Sequence, residues 1–170
     1  NVSYIGQTSR GALVAGNVIT SNSVREQVAA LRTASVPTIG GSYIGFIHPD
    51  VAYDFIGNTG TADLRSFQIR QDADGVRKGS IGVFDGVDFI ETPRALLVAD
   101  DAYGSVIIGQ QAMAHAFSTV YGQNPSVVFG PITDSLRRFQ PVGWYAMCGY
   151  GRFREAAIRR IESASSIGAN

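Results

Sequence analysis

Two histidines, His48 and His115, are the side chains of this sequence that could act as bases near neutral pH. His48 stands in His-Pro-Asp, between a strand-like and a helix-like run, where α/β enzymes often hold catalytic groups. The chemistry would be hydrolysis, with Asp50 or Asp54 assisting His48. Helix initiation explains the same residues, because Pro49 suits the first helical position and Asp50 suits the positive end of the helix dipole. We therefore predict no catalytic residue and keep a small hydrolase as an alternative.

Other polar patterns lack the spacing that their chemistry requires. Asp72 and Asp74 lack the later glutamate and glycine spacing of a calcium loop, and 149–151 lacks the Gly-Lys-Ser/Thr ending of a phosphate loop. Cys148 is the single cysteine, which excludes an intrachain disulfide and a cysteine-based zinc site. The sequence thus predicts no bound metal, no cofactor and no enzyme.

Composition narrows the class of protein further. The 170 residues are 45% apolar, enough for one compact domain or a large share of a bigger one. The 14 basic and 14 acidic side chains cancel, which argues against a nucleic-acid binder of the usual basic kind. No apolar run reaches the length of a membrane span, and the first residues do not resemble a signal peptide. We expect a soluble protein made inside a cell, without a membrane partner.

Two helices are predicted from local signals. Residues 23–26, Ser-Val-Arg-Glu, have the pattern of a capping box, and apolar residues continue on one helix face to Ala34. A strand at 42–47 then leads to a short helix that begins after His48 and stops at Gly57.

The strand signals are strongest at Asp85-Gly86, a pair that fits the positive dihedrals of a type I′ hairpin turn. We predict an α+β chain with mostly antiparallel strands. The remaining predicted elements are a helix at 62–70, strands at 80–84, 87–92, 95–99 and 105–108, a helix at 110–117, a strand at 126–129, one long strand at 142–153, and a helix turn or strand near 158–162.

Arginine and aromatic side chains lie together near the end of the chain, a combination that is enriched in protein interfaces. Lys78 is the single lysine, so nearly all cations are arginines, which suit bidentate contacts. A core aromatic stripe with a solvated charged edge is the alternative interpretation. The candidate subunit-interface residues are Arg137, Arg138, Trp144, Arg152 and Arg154.

Taken in order, these motifs resemble the major capsid proteins of tailed double-stranded DNA bacteriophages with the Hong Kong 97-type capsid fold. The resemblance is carried by the order of the motifs more than by any one of them. They are the capped helix and its Leu31–Pro37 end, the Tyr43–Tyr53 strand with its His-Pro-Asp helix start, the Gly79–Thr92 hairpin that closes on Glu-Thr, and the Asp134–Tyr150 run with Arg-Arg and Gly-Trp.

The resemblance implies an axial domain that clusters at the centre of each hexamer or pentamer, and a peripheral domain with a spine helix. It also implies that the family's N-terminal arm and extended loop are missing here. The implied segments are 1–22, an extended segment; 23–36, a spine-like helix of the peripheral domain; 37–131, the axial-domain-like core; and 132–170, the return strands of the peripheral domain.

The implied function is a structural virion protein that assembles with itself into an icosahedral shell around double-stranded DNA. The implied partners are other copies of the chain and other head proteins, with packaged DNA inside the shell but no specific DNA site. The implied location is the virion capsid, with the host cytoplasm during assembly. A bacterial encapsulin-type compartment, built on the same fold around cargo proteins, is the alternative shell.

Overall fold

The structure of the chain, a computed structural model, describes residues 2–57, 80–99, 102–118 and 126–167. The chain divides into two compact units, which we call the large unit, 1–112 with 154–170, and the small unit, 113–153. The elements are β1 (Val2–Tyr4), α1 (Ser21–Thr33), β2 (Tyr43–Ile47), α2 (Pro49–Gly57), β3 (Ser80–Phe84), β4 (Val87–Glu91), β5 (Leu96–Ala99), β6 (Ala102–Ile108), β7 (Met113–Phe117), β8 (Ser126–Phe129), β9 (Val142–Tyr145), β10 (Cys148–Arg152) and β11 (Ile158–Ser163), with short 3-10 turns at Arg10–Ala12 and Glu155–Ala157.

The large unit is built on one mixed sheet. Its strands run in the order β1, β11, β6, β2, β4, β3, and β5 also pairs with β6. The β1–β11 and β2–β4 pairs are parallel, while the other pairs of this sheet are antiparallel. The α+β class and the mostly antiparallel pairing are therefore confirmed for the described residues.

Helix α1 begins one turn earlier than the sequence pattern predicts. Thr20 is the N-cap, and its side chain accepts a hydrogen bond from the Ser23 backbone N–H at 3.3 Å. The Ser23 hydroxyl in turn accepts the Thr20 N–H at 3.2 Å, so Ser23 takes the role predicted for Glu26. Serine is short enough to reach back to the cap, and the prediction of Ser23 as the cap was wrong. The helix buries Val24, Val28 and Leu31 in the core, as its spacing predicts.

The His-Pro-Asp helix and the Asp-Gly hairpin are confirmed. Helix α2 begins at Pro49 and ends at Gly57. Asp85 and Gly86 have φ of 49° and 81°, the two positive values that a type I′ turn needs between β3 and β4. Gly45 in β2 is required by packing, because a Cβ there would lie 2.7 Å from the Phe89 ring.

The core of the large unit joins α1 and α2 to the sheet. Phe55 of α2 is fully buried, and its ring centroid lies 5.7 Å from that of Phe84 and 5.4 Å from that of Phe89. Residues from both ends of the chain belong to the same cluster, since Ile19 and Ile161 are also fully buried. Every buried hydrophobic side chain that the structure describes lies in this unit.

The predicted helix at 110–117 is wrong. Gln111 has a φ of 64°, which ends any helix there, and β7 occupies Met113–Phe117. The composition is helix-forming, but the larger residues alternate with alanines in Met-Ala-His-Ala-Phe, which is the period of a strand. Pairing with β10 decides between the two structures, and that partner lies about thirty residues away in the sequence.

Five further predictions need correction, are resolved or stay open. The single strand at 142–153 is two strands, β9 and β10, which pair with β8 and β7 respectively. The element near 158–162, predicted as a helix turn or a strand, is strand β11. Strand β6 begins at Ala102, three residues before the predicted start at 105. The predicted helix at 62–70 lies outside the described residues. The predicted axial and peripheral segments refer to positions in an assembled shell, and that division stays a prediction. The bounds of the two compact units differ from the bounds of those segments.

Candidate functional site: an exposed interface in the small unit

The small unit consists of two separate two-stranded sheets, β7 with β10 and β8 with β9. Its strands are exposed along the whole length for which burial is described. Two-stranded sheets are marginal by themselves, because each has a face that nothing covers. A surface of this kind is suited to binding a partner.

Strands β8 and β9 belong to one long hairpin, residues 126–145. Beyond the strands the two arms stay paired, since the Gly130 N–H donates to the Pro141 carbonyl at 2.8 Å and the Thr133 N–H to the Phe139 carbonyl at 3.3 Å. The chain reverses at the tip, where the Arg137 N–H donates to the Asp134 carbonyl at 2.9 Å. We refer to residues 126–145 as the long hairpin.

One face of the long hairpin is apolar and exposed. Val127 lies opposite Trp144, and Phe129 lies opposite Val142, so the four side chains share one face. Their exposed fractions are 59%, 74%, 64% and 62%, in the same order. Exposed large apolar side chains of this density are unusual on a monomer, where they mark binding surfaces.

Arginines occupy the tip of the long hairpin. Arg138 Nε lies 2.9 Å from Asp134 Oδ2, and its guanidinium carbon lies 5.5 Å from the Phe139 ring centroid. Arg137 is exposed and adopts a φ of 56°, a left-handed conformation imposed by the turn. Both arginines therefore lie at the tip, beside exposed Leu136 and Phe139.

The other three predicted interface residues have different positions. Trp144 lies on the apolar face, and Arg152 is exposed at the end of β10, opposite Met113. Arg154 belongs to the large unit, where its Nη2 donates to the Ala34 carbonyl at 2.7 Å and so closes the C-terminal end of α1. That contact gives Arg154 a role inside the fold, and its assignment to a subunit interface stays a prediction.

The sequence interpretation missed three residues of the apolar face, Val127, Phe129 and Val142. The signal that could have found them is alternation, because Val127 and Phe129 are two apart, as are Val142 and Trp144. The segment between them, which contains Gly130, Pro131 and Pro141, predicts a reversal of the chain. The two signals together predict a hairpin, and the register of β8 against β9 then places all four side chains on one face.

His48, the candidate base, lies in a structural cluster of the large unit. Its Nδ1 accepts the Asp50 backbone N–H at 3.3 Å, and its ring stacks on Tyr103 at 4.7 Å between centroids. The Tyr103 hydroxyl donates to Asp50 Oδ2 at 2.9 Å. Asp54 accepts hydrogen bonds from the backbone and hydroxyl of Ser166. These contacts link α2 to β6 and to Ser166, and they give each residue of the hydrolase alternative a structural partner.

A buried ion-pair cluster stabilises the edge of the main sheet. Glu162 of β11 is fully buried, and its carboxylate accepts two hydrogen bonds from the Arg10 guanidinium, at 2.8 and 2.9 Å. Arg160 Nη2 lies 2.8 Å from the same carboxylate. The hydrogen bonds from Arg10 hold the pKa of Glu162 below its ordinary value of 4.5, against the opposing effect of burial. This cluster joins the loop after β1 to the sheet.

Among the described residues, no three acidic, histidine or cysteine side chains are grouped so that they could hold a metal ion. Within the same ranges, no helix is both long enough and apolar enough to cross a membrane.

Comparison with known proteins connects this fold to virus shells. A family model described as "phage capsid protein" matches residues 3–167. The capsid of Ralstonia phage GP4 has a TM-score of 0.65 at 16% identity, covering 96% of this chain and 52% of that one. The Cyanophage Pam1 capsid has a TM-score of 0.64 at 15% identity, covering 91% of this chain and 49% of that one.

An encapsulin has a similar fold at a lower score. The holo-SrpI encapsulin complex from Synechococcus elongatus has a TM-score of 0.52 at 12% identity, covering 96% of this chain and 56% of that one. The chain thus spans about half the length of these solved structures. No curated protein matches the sequence.

The match to the family model runs over nearly the whole chain, and the architecture agrees with it. The expected resemblance and fold class are therefore confirmed. The chain belongs to the phage capsid protein family, the structural proteins of the phage virion, and it has the Hong Kong 97-type fold of tailed-phage major capsid proteins.

Proposed function

We propose that the protein assembles with itself into hexamers and pentamers that form an icosahedral phage head around double-stranded DNA. Family membership supports a structural role in the virion. Closed shells need several contacts per subunit, and heterologous contacts of that kind close into rings. The observation that carries the proposal is the exposed apolar surface of the small unit.

The small unit contributes a large share of the exposed hydrophobic side chains. More than half of the exposed large hydrophobic side chains that the structure describes lie in the small unit, among them Trp144, Tyr150 and Phe153, each at least 70% exposed. Aromatic residues and arginine are enriched where subunits meet, and Arg137, Arg138 and Arg152 lie in the same unit. We propose these residues and Trp144 as parts of the contacts between subunits.

We further propose that the protein is not an enzyme and that assembly takes place in the host cytoplasm with other head proteins. The contacts of His48, Asp50 and Asp54 support the first point, because each group already has a structural partner. The equal numbers of basic and acidic side chains support contact with packaged DNA without a specific site.

A second candidate is an encapsulin-type compartment that encloses cargo proteins in place of DNA. The similarity to the encapsulin fold favours it, although the phage capsids have the higher scores. Both candidates predict a closed shell, so the contents of the shell separate them.

The test is to express the protein, isolate particles by sedimentation and image them by negative-stain electron microscopy. Shells of uniform diameter are expected, and a protein that stays monomeric at high concentration would contradict the proposal. Particles from the native source are then treated with nuclease before their contents are extracted. Protected double-stranded DNA supports the phage head, whereas an enclosed enzyme without DNA supports the encapsulin-type compartment.

A further inference from the structure

We propose that the apolar face of the long hairpin docks on the large unit of a second copy of this chain. The face consists of Val127, Phe129, Val142 and Trp144. The inference rests on the proposed function and makes it specific, because it names which surface of one subunit meets which unit of the next.

The size of the face is in the range of surfaces that bind partners. Each of its side chains exposes on the order of 100 Å², so the four together offer on the order of 400 Å² of mostly apolar surface. A standard interface uses roughly 800 Å² per partner, and the other exposed apolar residues of the small unit can supply the rest. Met147 and Phe139, at 58% and 63% exposed, are examples.

The structure of the hairpin also indicates that its partner is a preformed surface. The two arms are held by hydrogen bonds from the strands to the tip, so the face exists before binding and loses little conformational freedom on docking. Within the hairpin, Trp144 lies opposite Val127 and is 74% exposed. Tryptophan is among the residues that most often anchor an interface.

Charge decides between two ways of pairing the copies. The small unit carries three arginines, Arg137, Arg138 and Arg152, against one acidic residue, Asp134. Because the whole chain has 14 basic and 14 acidic side chains, the large unit has the opposite excess. Two small units meeting face to face would bring like charges together, whereas a small unit on a neighbour's large unit pairs opposite charges.

The proposed contact is therefore head-to-tail. The apolar face supplies the buried area, and the arginines at the tip meet acidic side chains of the neighbour's large unit, where exposed Glu26 and Glu91 are available. A head-to-tail contact leaves each copy with one donor surface and one acceptor surface, which allows rings to close. A symmetric contact between two hairpins would stop at a dimer.

Photo-crosslinking tests the contact directly. A benzophenone amino acid is placed at position 144 in the full protein, and as a matched control at position 53. Tyr53 is an aromatic residue of α2 with 65% exposure, close to the 74% of Trp144, but it lies in the large unit. After assembly and irradiation, crosslinked peptides are identified by mass spectrometry, with isotope-labelled and unlabelled copies mixed so that contacts between copies are distinguished from contacts within one.

The expected result is a crosslink from position 144 to the large unit of a second copy, with a yield on the order of tenfold above that from position 53. A crosslink to 113–153 of the second copy, to the same chain, to another protein or to nucleic acid would overturn the inference. Particles that form while position 144 crosslinks no more than position 53 would overturn it too and leave the proposed function intact. If the unchanged protein forms no particles at all, the proposed function itself fails.

A charge variant provides a second measurement. The double change Arg137→Glu and Arg138→Glu is expected to reduce the association constant by roughly thirtyfold or more at low salt, with a smaller loss at high salt where charges are screened. Circular dichroism confirms that the variant folds. Unchanged association at low salt would contradict the head-to-tail pairing of opposite charges.

Discussion

The two units of this chain use apolar residues for opposite purposes. In the large unit the ring of Phe55 packs edge to face on Phe84 and at a tilt on Phe89, and all three rings are hidden from water. In the small unit Phe129, Trp144 and other residues of the same kind are mostly exposed. The large unit thus resembles an ordinary folded domain, and the small unit resembles half of an interface. The difference predicts that substitutions in the large unit change stability, whereas those in the small unit change association.

The largest effect on stability is expected from Phe55→Ala. Removing a buried ring leaves a cavity beside Phe84 and Phe89, which we expect to lower the free energy of unfolding by about 3–5 kcal/mol. Urea unfolding followed by circular dichroism measures the change. A loss below about 1 kcal/mol would show that the aromatic cluster does not hold α2 on the sheet.

The next largest effect is expected from Glu162→Gln, which should lower the free energy of unfolding by about 2–3 kcal/mol. The change removes the negative charge that the Arg10 and Arg160 guanidinium groups both contact. The pKa of Glu162 is lower in the folded state than its ordinary value. Its contribution is therefore fully present above the unfolded pKa and is lost as the pH falls through the folded pKa.

The pH dependence gives this prediction its control. The free energy of unfolding of the unchanged protein should fall as the pH drops below about 4.5, and that of the Glu162→Gln variant should fall less over the same range. Equal slopes for the two proteins would mean that the ion-pair cluster adds no stability.

Two glycines give a matched pair across the units. Gly45→Ala places a Cβ at 2.7 Å from the Phe89 ring and is expected to cost about 1–3 kcal/mol. Gly149→Ala in β10 meets no atom within 4 Å and is expected to stay within about 0.5 kcal/mol of the unchanged protein. Thermal unfolding of both variants measures the difference in stability. Equal losses of stability would contradict the description of the large unit as tightly packed and of the small unit as open.

A moderate loss of stability is expected from Thr20→Ala, which deletes the side chain that caps α1. A lost N-cap costs typically about 1 kcal/mol. The sequence pattern had assigned this role to Ser23, so Ser23→Ala provides the comparison. Chemical unfolding should show a loss for both, since each hydroxyl makes one of the two reciprocal hydrogen bonds. A Thr20→Ala variant with unchanged stability would contradict the observed capping box.

Local signals predicted the elements whose structure depends on nearby residues. The Asp85-Gly86 turn, the Pro49 helix start and the apolar face of α1 all follow from a few adjacent side chains. Prediction failed at 110–117, where pairing with a strand far along the chain overrides helix-forming composition. It failed in the same way at 142–153, because the two halves of that run pair with different strands.

The candidate interface could be predicted only in part, for a related reason. Trp144 and the arginines stand out by residue type, and four of the five interface residues predicted from the sequence lie in the small unit. The face that they belong to depends on the register of β8 against β9, which no single run of residues reveals. Arg154 has the same composition signal, but its contact with the end of α1 depends on the tertiary fold.

The most direct test of the difference between the units is to measure folding and assembly of one variant, Trp144→Glu. We predict a free energy of unfolding within about 0.5 kcal/mol of the unchanged protein, together with loss of particles by sedimentation and electron microscopy. Particles formed in normal yield would contradict the assignment of the exposed apolar face to subunit contacts. So would a variant that loses particles because it no longer folds.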